Sequence, residues 1–80
     1  MTVYMRINAV RAYAQAAGYQ HDAAIAKAAG IDPGGFNRLM RGRTNPGART
    51  IAGLLTTFQA CRFEDLFEVA EDRDDTRAAA

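Results

Sequence analysis

Apolar residues recur every three or four positions along most of the chain, which is the spacing of helices that bury one face. The first stripe predicts a helix over residues 3–17, ended by Gly18. It consists of Val3, Ile7, Val10, Ala14 and Ala17. Later stripes predict four more helices, at residues 23–29, 33 to about 41, 48 to about 59, and a short one that carries Phe63, Leu66 and Phe67.

No segment has the pattern of a strand, because the few β-branched residues are scattered and do not alternate with polar ones over four or more positions. The sequence therefore predicts an all-α fold, a compact domain of five helices over residues 1–70. Residues 71–80 lack apolar periodicity and are expected to be a disordered acidic tail. The predicted core consists of Ile7, Val10, Ile25, Ala29, Ile31, Phe36, Leu39, Ile51, Leu54, Phe58, Leu66 and Phe67.

A tight turn joins the second and third predicted helices. Gly30 follows the second helix, and glycine is the residue that most easily adopts the positive φ of a helix end. Asp32 is a good N-cap, and Pro33 suits the first position of the third helix, where an N–H has no intrahelical acceptor. Two short helices joined by a glycine turn, with arginines following, are typical of a DNA-binding helix-turn-helix.

This part of the chain resembles the Cro and phage-repressor family, also called lambda-repressor-like or XRE. The resemblance spans about residues 6–69 and rests on four motifs: I-A-x-x-A-G-I at 25–31, F-N-R-L-x-R-G-R-x-N-P at 36–46, I-A-G-L-L-x-x-F at 51–58 and F-E-D-L-F-E at 63–68. Three features depart from the family pattern. His21-Asp22 replaces a common Thr-Gln, Gly34-Gly35 replaces polar side chains, and the chain after Pro46 is one residue longer.

The resemblance implies that the third helix enters the major groove of double-stranded DNA. Its base contacts are then expected from Pro33, Gly34, Asn37 and Arg38. Asn37 suits adenine and Arg38 suits guanine or a phosphate. The expected phosphate contacts are Gln20, His21, Arg41, Arg43 and Asn45. The implied function is sequence-specific regulation of transcription, as a small phage or prophage Cro-like repressor.

The charge distribution agrees with this interpretation. The net charge is only +1, yet residues 1–63 carry +6 and residues 64–80 carry −5. A basic surface suits nucleic acid, whereas an acidic tail is most simply a solvated segment. Arg38, Arg41 and Arg43 cluster where the third helix ends, which favours a role in DNA binding.

Other chemistry has little support in the sequence. One His and one Cys, without an H-E-x-x-H, G-x-S-x-G or P-loop motif, predict neither an enzyme nor a cofactor or metal site. Cys61 is expected to be a small buried apolar residue. No apolar run approaches the roughly 20 residues of a membrane span, and the N-terminus lacks a leader pattern. We therefore expect a cytoplasmic protein with no membrane association and no small-molecule effector.

Two alternatives stay open at this point. A protein-interaction module on the same fold, such as an antitoxin-like or small phage regulatory partner protein, would use the acidic tail or the fifth helix. A homodimer on DNA would also use the fifth helix, with Phe63, Phe67 and Val69 as contacts. Equally, these three residues could simply close the core of one chain.

Overall fold

A computed structural model describes residues 1–72 of the chain. Its elements follow in the order β1 (Thr2–Met5), α1 (Ile7–Ala16), α2 (Asp22–Ala29), α3 (Pro33–Met40), α4 (Ala48–Thr57), α5 (Phe63–Leu66) and β2 (Phe67–Ala70). Helices α2, α3 and α4 lie within two residues of their predicted bounds. The end of α2 and the start of α3 were predictable because Gly30, Asp32 and Pro33 are local signals that end and begin helices.

The all-α prediction is wrong, because the two ends of the domain form an antiparallel two-stranded sheet. Val3 pairs with Val69 and Met5 with Phe67. The first helix therefore begins at Ile7, and the fifth helix ends at Leu66 after a single turn. Each strand has only four residues and its partner lies at the other end of the chain. Neither strand is therefore long enough to show the alternation of apolar and polar residues from which strands are predicted.

The two chain ends are held together around this sheet. The Arg6 N–H donates to the Leu66 carbonyl oxygen at 2.7 Å, and Arg6 Nε donates to the Glu64 carbonyl oxygen at 3.1 Å. The Thr2 hydroxyl donates to the Asp72 carboxylate, which also lies 3.8 Å from the N-terminal amine. Asp72 thus belongs to the folded domain, and residues 73–80 of the expected acidic tail lie outside the described residues.

The core lies between the helices and beneath the sheet. It contains eight of the predicted residues, namely Val10, Ile25, Phe36, Leu39, Leu54, Phe58, Leu66 and Phe67. Ile7, Ala29, Ile31 and Ile51 are half-buried and pack around it. Tyr4, Met5, Ala14, Ala26 and Met40 are buried as well, although they were not predicted. Tyr4 and Met5 could not be expected there, because their burial follows from β1.

Helix α4 approaches the end of α2 closely at Gly53. A Cβ added to Gly53 would overlap the carbonyl oxygen of Ala29 and lie 3.5 Å from the Ala29 Cβ. Gly53→Ala is therefore expected to lower the free energy of unfolding by about 1–2 kcal/mol, since overpacking exceeds the gain in helix propensity. Urea unfolding followed by circular dichroism measures this change. Gly47→Ala is the comparison because its Cβ would meet open space and it should lose only the smaller N-cap preference of glycine over alanine; equal stability of the two variants would contradict the close approach.

Candidate nucleic-acid interface

The turn between α2 and α3 is built from backbone hydrogen bonds around Gly30. Gly30 has a φ of 70°, its N–H donates to the Lys27 carbonyl oxygen at 3.3 Å, and the Ile31 N–H donates to the Ala26 carbonyl oxygen at 2.9 Å. These two bonds form a Schellman motif, which ends a helix and redirects the chain. The predicted glycine turn of a helix-turn-helix is thus present in the structure.

Helix α3 starts as the sequence predicts. Asp32 is its N-cap, and Asp32 Oδ2 accepts a hydrogen bond from the Gly35 N–H at 2.9 Å. Pro33 occupies the first helical position. Together these residues fix the direction in which α3 leaves the turn.

Helix α3 has one buried face and one exposed face. The buried face consists of Phe36, Leu39 and Met40. The exposed face carries Pro33, Gly34, Asn37, Arg38 and, immediately after the last helical residue, Arg41. Residues three and four apart share a face of a helix, so these positions form one stripe. All four predicted base contacts therefore lie on the same exposed stripe.

The basic loop begins at a second glycine turn. Gly42 has a φ of 73°, and the Arg43 N–H donates to the Arg38 carbonyl oxygen at 3.0 Å. This turn carries the chain away from the end of α3 into residues 43–47. Arg41, Arg43 and Asn45, the phosphate contacts predicted here, are all exposed.

The two remaining predicted phosphate contacts, Gln20 and His21, are exposed at the start of α2. His21 is the N-cap residue with an extended backbone, but its side chain accepts no hydrogen bond from the first turn. The Asp22 carboxylate does not cap the helix either, and it lies 3.6 Å from Arg11 Nη2. The first N–H groups of α2 therefore have no side-chain cap and could accept an anion, which the Asp22 carboxylate in the first turn opposes.

Charge pairing separates the arginines into two groups. Arg6 lies 4.0 Å from the Glu68 carboxylate and Arg11 lies 3.6 Å from that of Asp22. By contrast, none of the carboxylates within residues 1–72 forms an ion pair with Arg38, Arg41 or Arg43. Among the described residues, Arg38, Arg41 and Arg43 thus have no ion-pair partner.

One charged side chain of this surface is missing from the predicted contacts. Asp32 is exposed, and its carboxylate borders the same space above Gly34 and Gly35 as the guanidinium of Arg38. The sequence assigned Asp32 only to capping. An acid directly before Pro-Gly-Gly, with an arginine six residues later, was the available signal.

The residues predicted to form a homodimer lie mainly inside the chain. Phe67 is fully buried, and Phe63 is half-buried with its ring stacked on that of Phe67 at a centroid distance of 5.3 Å. Only Val69, 51 % exposed on β2, is open to solvent. Phe67 therefore closes the core, while Val69 and part of Phe63 remain accessible, and the homodimer stays a prediction.

A groove of about 320 Å³ lies apart from α3, between the ends of α1 and α4. It is lined by Tyr13, Ala16, Ala17, Thr57, Phe58, Gln59, Ala60 and Cys61. Burial raises the pKa of the Cys61 thiol, and the Asp65 carboxylate raises it further. The thiol therefore stays protonated near neutral pH and is a weak nucleophile.

Within residues 1–72 no three His, Cys, Asp or Glu side chains come together as metal ligands.

Comparison with known proteins adds no relative: no family model, curated protein or solved structure matches this chain. Its likeness to the Cro and phage-repressor family thus remains a prediction based on its motifs. None of the helices formed by residues 1–72 has the length and apolar character needed to cross a membrane.

Proposed function

We propose that this protein is a sequence-specific DNA-binding regulator of transcription, a small phage or prophage Cro-like repressor that acts in the cytoplasm. The observation that carries the proposal is the exposed stripe of α3, where Asn37 presents an amide and Arg38 a guanidinium without an ion-pair partner among the described residues. The major groove of B-DNA admits one α-helix and exposes a distinct donor and acceptor pattern for each base pair. The short turn at Gly30 supports this use of α3.

The proposal divides the work between base edges and phosphates. Asn37 and Arg38 read bases, while Arg41, Arg43 and Asn45 bind the backbone beyond the end of α3. Gln20 and His21 bind a phosphate at the uncapped start of α2. Phosphate contacts position a protein without reading sequence, so the two groups should respond differently to mutation.

Fluorescence anisotropy on labelled duplexes tests this function. The DNA from upstream of the protein's own gene is compared with random DNA of equal length at two salt concentrations. We expect a preference on the order of 10³-fold for the first duplex. Neutralising four to six phosphates should give a slope of log K against log salt of about −3.6 to −5.4.

Single variants then separate the two roles. Arg38→Ala should change the preference among sequences, whereas Arg43→Ala should weaken binding to all of them alike. Arg62→Ala, an exposed arginine before α5, removes the same charge outside the α3 surface and is the control. Equal, weak binding to both duplexes would contradict sequence specificity. Absence of binding to either would favour the protein-interaction alternative.

A further inference from the structure

The first turn of α3 brings an acceptor and a donor to the same bare surface. A Cβ added to Gly34 would lie 3.3 Å from Asp32 Oδ2 and 3.9 Å from Arg38 Nη1. At Gly35 the corresponding distances would be 3.6 Å to Asp32 Oδ2 and 3.8 Å to Arg38 Nη2. Side chains of a helix point towards its N-terminus, which is why Arg38 reaches back over residues three and four positions earlier.

The two charged groups border one space without closing on each other, since no ion pair joins them. Asp32 Oδ2 already accepts the Gly35 N–H, but a carboxylate has about four acceptor positions. The second oxygen and the guanidinium fork therefore remain able to bind a ligand. That ligand must offer a donor and two neighbouring acceptors together.

We propose that Asp32 and Arg38 jointly select a G·C base pair in the DNA site, an inference that rests on the proposed function. Guanine presents O6 and N7 as acceptors in the major groove, where Arg38 donates to both. Cytosine presents its N4 amino group as a donor, which Asp32 accepts. Asp32 is thus a specificity-determining residue as well as the cap of α3.

The carboxylate also acts against the wrong bases. Guanine O6 and N7 and thymine O4 are acceptors, so placing them against Asp32 is repulsive, and repulsion of competitors is an effective source of specificity. Gly34 favours this arrangement. A side chain at position 34 would crowd Asp32 Oδ2, because 3.3 Å is closer than ordinary van der Waals contact.

The first experiment selects binding sites from a random DNA pool, with the wild-type chain and with Asp32→Ser. Serine also caps helices well, so α3 is retained, but it lacks the charge and reach of the carboxylate. We expect the wild type to enrich a site with a fixed G·C pair. Asp32→Ser should enrich a related site in which that pair is less strongly preferred, because Arg38 still favours guanine there. Thermal unfolding of both chains checks that the fold is kept.

The second experiment alters one base atom at a time in the selected duplex. N4-methylcytosine replaces the groove-facing donor of cytosine by a methyl group, and 7-deazaguanine removes the N7 acceptor of guanine. Each change should weaken wild-type binding roughly 5- to 150-fold. Asp32→Ser should become insensitive to N4-methylcytosine and remain sensitive to 7-deazaguanine. Arg38→Ala should show the opposite pattern.

The outcomes separate this inference from the proposed function. If the wild type enriches no sequence at all, the proposed function fails. If the wild type enriches a site, but N4-methylcytosine weakens binding of Asp32→Ser as much as binding of the wild type, then Asp32 is only a cap. That result overturns the inference. Asp32→Asn gives a second reading, because its amide both donates and accepts, and it should broaden the preference at the cytosine position.

Discussion

Phe36→Ala is expected to lower the free energy of unfolding by roughly 3–5 kcal/mol, the largest loss from any single substitution considered for this chain. Phe36 is 1 % exposed and is among the largest fully buried side chains. It lies on the inner face of α3, so its removal leaves a cavity behind the exposed stripe of that helix. Small domains have only about 5–15 kcal/mol of stability in total. Urea unfolding followed by circular dichroism measures the change.

Phe36→Leu is the control, since it retains most of the apolar volume and should cost much less. An unchanged melting temperature of Phe36→Ala would contradict the position of this residue in the core. Any DNA-binding loss in Phe36→Ala should accompany a lower melting temperature of the free protein, because DNA binds the folded state. Loss of a base contact would instead weaken binding and leave the melting temperature of the free protein unchanged.

Local signals account for the parts of the fold that could be predicted. The glycine turn at Gly30 and the cap at Asp32 depend on residues within four positions of each other, so the sequence contains the whole determinant. The sheet is different, because β1 and β2 are partners that lie more than 60 residues apart along the chain. Phe67 illustrates the consequence: helical spacing placed it correctly in the core but in the wrong type of element.

The candidate site was predictable to a similar degree. Burial of Phe36 and Leu39 fixes the orientation of α3, and the exposure of Asn37 and Arg38 follows from the helical period. The helical period does not predict where the end of a long side chain such as Arg38 lies. Arg38 lies back over the two glycines, and its position beside Asp32 is apparent only in the three-dimensional arrangement.

Removing the two loop arginines together is expected to have the largest effect on DNA binding. The double variant Arg41→Ala/Arg43→Ala should bind every duplex about tenfold to 100-fold more weakly near 0.15 M salt, since two phosphates lose their partners. The slope of log K against log salt should become less steep by about 1.8. Anisotropy titrations at four salt concentrations measure both quantities on the same labelled duplex.

The matched control is Arg6→Ala/Arg11→Ala, which has the same net charge. These arginines face Glu68 and Asp22, and exposed ion pairs contribute little to stability. If Arg41 and Arg43 bind the DNA phosphates, this control should keep the wild-type salt slope. Equal slopes for the two double variants would mean that only the net charge of the chain attracts DNA. The arginines of the loop would then have no special position on the duplex, and readout by Arg38 would need another means of fixing α3 in the groove.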